Sequence, residues 1–228
     1  MRNYLLGLLF FTVSSTSLAN QDSDFIAARQ AFQTGNAKAL ENHAKKLQRH
    51  PLRAYVDYYQ LRLVLPTTDS ATIRSFLARY DSSLVADRLR GDWLKVLAKN
   101  QQWPLFDGEY PAVVNKDPEL TCHIYQRRLD LQDTAVIPDA RALWFTSTSL
   151  PDSCTPVFQS LIFKGELPIE DIWARIRMTL EDGQTGAAMQ ASRYLSGDQG
   201  LDLGNLNAAA KNPLRYLEDQ AGKIRTHS

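Results

Sequence analysis

Chemistry in this chain would have to come from a short list of residues. Two adjacent acidic pairs, Glu170-Asp171 and Glu181-Asp182, are the first to test as an acid and base. Neighbours on a helix point about 100° apart and do not converge on one bond, so both pairs read as exposed helix-end charges, which acidic residues favour in a first turn. The four histidines, His43, His50, His123 and His227, are scattered. None stands at metal-ligand spacing from another His or Cys, apart from the neighbours Cys122-His123, so they read as surface or cap residues. No HExxH, no GxSxG elbow and no glycine-rich phosphate loop occurs. The sequence offers no catalytic, cofactor-binding or metal-ligating set.

Flat aromatic faces could hold sugar rings, and Trp93, Trp103, Tyr110, Trp144 and Trp173 are the residues to weigh. Trp93 and Trp173 fall on apolar stripes, and large aromatics dominate core burial, so a structural role is the stronger reading there. Trp103 and Tyr110 stand in a looser stretch punctuated by Trp103-Pro104, Tyr110-Pro111 and Asp117-Pro118. They are the two surface candidates for glycan contact.

The first 19 residues read as a secretory signal: Arg2 supplies the positive start, Tyr4 to Val13 the apolar stretch, and Ser17-Leu18-Ala19 the cleavage site before Asn20. An apolar run of about ten residues is too short for a membrane-crossing helix, which needs on the order of 20, and no later segment comes closer. The expected mature protein is exported, with no transmembrane segment. Losing Arg2 turns 26 basic and 25 acidic residues into 25 of each. That balance argues against nucleic acid, whose binding needs a net basic footprint. In an exported chain the only two cysteines, Cys122 and Cys154, read most simply as one disulfide, with a pair of buried thiols as the alternative. Closing a loop of about 33 residues would stabilise the fold by roughly 3 to 4 kcal/mol.

The elements that must position these residues are helices. Phe25, Ala28 and Phe32, then Ala37, Leu40, Ala44 and Leu47, each give one face of a 3.6-residue period. Gly35-Asn36 supplies a turn able to take positive φ, and His50-Pro51 ends the second helix and opens a third. That third segment, Leu52 to Leu63, is apolar nearly all round and should be covered on two sides. Asp69 or Ser70, and Ser82 or Ser83, can cap the next two helices. The stripe Ile169, Ile172, Trp173, Ile176 and Leu180 is the clearest in the chain. About ten or eleven helices are expected, with no strand, pairing at intervals of roughly 25 to 35 residues. The expected fold is all-α, a superhelical solenoid of antiparallel helix pairs over residues 20–196, with 197–228 as a continuation; a compact irregular helical domain is the alternative.

Several segments look familiar when taken in order: HPLRAYVDYYQLR (His50 to Arg62), FLARYDSSLVADRLRGDWLKVLAKNQQWPLF (Phe76 to Phe106), LTCHIYQRR (Leu120 to Arg128), SLPDSCTPVFQSL (Ser149 to Leu161) and IWARIRMTLEDG (Ile172 to Gly183). Together they resemble the N-terminal superhelical domain of the soluble lytic murein transglycosylases. The resemblance implies a periplasmic protein of peptidoglycan turnover whose curved array of helices, the U-domain, forms much of a ring. It also implies that Cys122 and Cys154 match the family's disulfide-forming pair. In that family a separate C-terminal lysozyme-like domain carries one glutamate that acts as acid and then base, cleaving the link between N-acetylmuramic acid and N-acetylglucosamine and leaving a 1,6-anhydro end.

The chain departs from that pattern at its end. None of its seven glutamates, Glu41, Glu109, Glu119, Glu166, Glu170, Glu181 and Glu218, is followed by serine. No catalytic residue carries over, and the expectation is a fragment or a split or shortened protein that is inactive alone. It would bind peptidoglycan glycan strands, by resemblance, or serve as a free-standing periplasmic scaffold for cell-wall proteins. A solenoid cut short would expose the apolar face of its last repeat, which the weak stripe Leu214, Leu217 and Ala221 could partly cover.

Overall fold

The computed structural model describes residues 16–195 and 200–226. Residues 1–15 of the expected signal peptide, residues 196–199 and His227 lie outside the described residues. Six α-helices occupy the first part of the chain: α1 (Thr16–Gln33), α2 (Ala37–Lys46), α3 (Arg53–Val64), α4 (Ser70–Arg79), α5 (Leu84–Lys99) and α6 (Trp103–Glu109). Seven follow: α7 (Pro118–Asp130), α8 (Ile137–Trp144), α9 (Thr155–Phe163), α10 (Ile169–Glu181), α11 (Thr185–Ser192), α12 (Leu203–Lys211) and α13 (Pro213–Thr226). No strand occurs among the described residues. The backbone divides into two compact units, one up to Asn115 and one from Lys116. Within each, consecutive helices pack against one another as pairs, α1 with α2 and α10 with α11 most extensively, which is the all-α helix-pair fold.

Thirteen helices among the described residues exceed the ten or eleven expected. The prolines explain part of the difference. Pro104 sits in the first turn of α6, where a missing N–H leaves no bond unmade, so Trp103-Pro104 opens a helix and the stretch is not loose. Residues 203–226 likewise form α12 and α13, the first capped by Asp202, which accepts from Asn205 N at 2.6 Å.

The open choices of cap are settled by geometry. Asp69 caps α4, accepting from Thr72 N and Thr72 Oγ1 at 2.8 Å each, and Ser83 caps α5, accepting from Ala86 N at 3.2 Å. Gly35 takes φ 69°, leaving Asn36 to cap α2 through Ala39 N at 3.0 Å. Helix α3 touches α1, α2 and α5, and buries Val56, Tyr58 and Tyr59, as its nearly unbroken apolar surface requires.

Each unit has its own core. In the first, Leu40, Val56, Leu89, Trp93, Leu94 and Phe106 are sealed from solvent. In the second, Trp144 is fully buried, with Phe158 edge-on at 4.8 Å and Tyr194 at 5.3 Å. The Arg175 guanidinium lies over the same ring at 4.6 Å and donates to the Thr148 carbonyl at 3.1 Å. Burial pulls its pKa down to about 10. Cys122, inside α7, is bonded to Cys154, the residue immediately before α9, with both residues buried.

Two of the histidines expected as surface or cap residues are buried, His50 and His123, with 7% and 6% exposure. His50 stacks on Phe25 with ring centroids 5.4 Å apart. Leu52 N donates to its Nδ1 at 3.1 Å, which leaves Nε2 to carry the proton toward Asp22 Oδ1 at 3.2 Å. It therefore ties the α2–α3 turn to α1.

Candidate functional site

Trp103 and Tyr110 are brought together by one buried residue. Phe106 is completely enclosed, with Trp103 edge-on to it at 5.5 Å and Tyr110 stacked at 5.8 Å. All three lie along α6 and the 3-10 turn Tyr110–Ala112 that continues it. The two outer rings are half-buried, so each keeps part of a face toward solvent while the rest is held by the core. Trp93 and Trp144 are core residues at 2% and 0% exposure, and Trp173 is half-buried against the second unit's core.

Among the described residues, the acidic side chains singled out by the sequence lie at different ends of α10. Asp171 lies in the first turn of α10 as expected but is not free in solvent: Arg141 Nε and Nη2 reach its Oδ2 at 2.9 and 2.7 Å, and Trp144 Nε1 donates to its carbonyl at 3.0 Å. Glu181 and Asp182 fall at the opposite, C-terminal end of α10, not in a first turn. Three further half-buried carboxylates are also held by arginines: Asp57 by Arg53, Asp92 by Arg62 and Glu109 by Arg74. Among the described residues no cluster of three His, Cys, Asp or Glu side chains could hold a metal ion.

A second arrangement escaped sequence reasoning. The end of α1, the second half of α3 and the first half of α5 enclose a groove of about 610 Å³. Three arginines line it: Arg29 from α1, Arg62 from α3 and Arg88 from α5. One carboxylate faces them, Asp92, whose Oδ2 accepts from Arg62 Nε and from Tyr58 OH, both at 2.8 Å. Burial, then the bond to Asp92, raises the Tyr58 hydroxyl well above its ordinary pKa, so it stays a donor. Phe32 and Tyr59, stacked at 4.6 Å, form the apolar wall. Positions 29, 62 and 88 have no local motif in common. Only the packing of three helices makes them a set.

No family model matches the chain. The soluble lytic murein transglycosylase of Escherichia coli (strain K12) is 24% identical over 219 residues, covering 92% of this chain and 33% of the relative. That of Salmonella typhimurium (strain LT2) is 24% identical over 174 residues, covering 75% of this chain and 26% of the relative. Among solved structures, an inactive mutant of the lytic transglycosylase Slt from Pseudomonas aeruginosa matches with a TM-score of 0.58 at 24% identity, over 88% of this chain and 32% of that one. The 70-kDa soluble lytic transglycosylase in complex with bulgecin A matches with a TM-score of 0.59 at 22% identity, over 86% and 32%. The chain spans about a third of the length of the curated relatives it matches. In sequence and in fold, over that third, this chain is similar to the soluble lytic murein transglycosylases.

Proposed function

We propose that this chain is a murein-binding element of cell-wall turnover, which holds peptidoglycan glycan strands and breaks no bond in them. The observation that carries this reading is the extent of the likeness: 92% of the chain aligns with about a third of a lytic transglycosylase. Helix-pair arrays suit such a task, because they present extended surfaces on which a polymer makes many weak contacts. The arginine-held carboxylates fit a binding role, since Asp92, Glu109 and Asp171 each tie one helix to another.

Its place of action is the periplasm, reached through cleavage after Ala19. No helix among the described residues is long and apolar enough to cross a membrane. Trp103 and Tyr110 are the glycan contacts, their part-exposed faces stacking on sugar C–H groups while Phe106 fixes their spacing.

Sedimentation with purified sacculi tests the reading. The mature chain is expected to co-sediment, and to release no anhydro-muropeptides on prolonged incubation. Trp103→Ala with Tyr110→Ala should weaken that association severalfold while leaving the helical circular dichroism intact. Sacculi that leave the chain in the supernatant would end the binding proposal, and anhydro products from the chain alone would end the non-catalytic one.

A further inference from the structure

The groove between α1, α3 and α5 carries a charge pattern that the fold does not need. The whole chain is nearly neutral, with 26 basic and 25 acidic residues, so a local excess of charge is not inherited from the bulk. Of the three guanidiniums in the groove, Asp92 answers that of Arg62. Arg29 and Arg88 are exposed, reach the same groove, and have no carboxylate partner among the described residues. Two positive charges are left over on its walls.

Asp92 also does more than neutralise. By accepting from both Arg62 and Tyr58 it fixes a guanidinium and a phenol side by side at the groove wall. A positioned guanidinium presents paired N–H donors that match a carboxylate, and the tyrosine ring with Phe32 and Tyr59 offers apolar surface beside it. The volume, about 610 Å³, accommodates a short peptide and is small for a folded protein segment.

We propose that this groove binds the carboxylates of a short acidic peptide, and that its occupant is the peptide stem of murein. The identity of the occupant rests on the strand-binding reading above; the carboxylate chemistry rests on the groove itself. Strand and stem would then be held at different places in the first unit, the sugars at Trp103 and Tyr110 and the stem at Arg29, Arg62 and Arg88.

Isothermal titration with three probes tests this: a disaccharide-tetrapeptide, the free stem tetrapeptide, and glycan chains stripped of stems by an amidase. Wild-type chain is expected to bind both stem-bearing probes. Arg29→Glu with Arg88→Glu should weaken that binding by at least about tenfold, and Arg88→Lys should retain most of it. Arg193→Glu, an exposed arginine of the second unit, should change nothing. Raising salt should weaken stem binding, because an open groove is screened by ions. Equal affinity of wild type and the double charge-reversal variant for the tetrapeptide would overturn the proposal. If wild type ignores sacculi but still binds the tetrapeptide through Arg29 and Arg88, the strand reading fails and the groove stands. If both proteins bind sacculi alike and neither binds the tetrapeptide, the groove proposal fails alone.

Discussion

The Asp24 carboxylate on α1 accepts from Lys46 Nζ at 3.0 Å and lies 2.8 Å from His43 Nδ1, both partners being on α2. The bond from Lys46, then that from His43, holds its pKa below the ordinary carboxylate value against a smaller opposing effect of burial. A group whose folded pKa is depressed contributes stability that is present above its unfolded pKa and is lost as pH falls through the folded one. Asp24→Asn is therefore expected to lower the melting temperature near neutral pH. The gap to wild type should close as pH falls below about 4; thermal melts at a series of pH values check it, and a gap that stays constant down to about pH 3 would contradict the assignment. Nothing in the sequence marks Asp24 for this role, since its partners lie 19 and 22 positions away. Residue identity alone served well for Cys122 and Cys154, where chemistry allows few outcomes. It served poorly for His50 and His123, because imidazole is at home on a surface or in a core and only the packing decides. Arg175 was invisible for the same reason: a charged residue on a helix reads as solvated until a ring like Trp144 is seen to cover it.

Five helices end in the same way, with the residue after the cap in the left-handed region and two backbone bonds reaching back into the last turn. After α1 these run from Gly35 N to Phe32 O and from Asn36 N to Ala31 O, and Gly165 and Gly183 repeat the pattern after α9 and α10. After α5 and α7 the same position is held by Gln101 at φ 55° and Gln132 at φ 61°. A side chain there strains the backbone where glycine does not. Gln101→Gly and Gln132→Gly are each expected to stabilise the fold by about 0.5–1 kcal/mol, read from denaturant melts. The reverse change, Gly183→Ala, should cost about 1 kcal/mol; since an added Cβ would meet no atom within 4 Å, that loss would report φ alone. No change at either glutamine would mean that the left-handed geometry is not strained there. The glycine turn after α1, at Gly35, was readable in advance. Those ended by glutamine were not, and α6 was hidden because proline at a helix start and proline in a loop look alike in one dimension. The glycan contact proposed at Trp103 and Tyr110 could be read from the sequence only as two aromatics beside prolines; that Phe106 spaces the two rings emerged from α6 itself. The arginine groove was not legible at all, because its three cations come from three helices.

At the scale of the whole chain, the first unit runs up to Asn115, and there its last residues are held by Asp87 of α5, which receives bonds from Val114 N at 2.7 Å and Asn115 N at 3.0 Å. Burial pushes the Asp87 carboxyl upward, and these bonds with that of the Asn115 side chain outweigh it, so it remains ionised. The disulfide closes its loop wholly inside the second unit, where Cys122 and Cys154 belong to the same core as Trp144 and Phe158. A crosslink of sequence separation 32 stabilises chiefly by restricting the unfolded chain that it spans. Its loss should therefore fall on one unit: about 3 to 4 kcal/mol for the second, with the first unaffected if each unfolds around its own core. Amide exchange separates the two, since α3 and α5 report on one core and α7, α9 and α10 on the other. After reduction, or in the Cys122→Ala, Cys154→Ala variant, the slowest amides of α7, α9 and α10 should exchange faster by more than a hundredfold (roughly 1.4 kcal/mol per factor of ten) while those of α3 and α5 keep their rates. Equal acceleration in all five helices would mean that the chain unfolds as one cooperative body. In that case the groove of Arg29, Arg62 and Arg88 would depend on a crosslink that it never touches, and stem binding would weaken under reducing conditions.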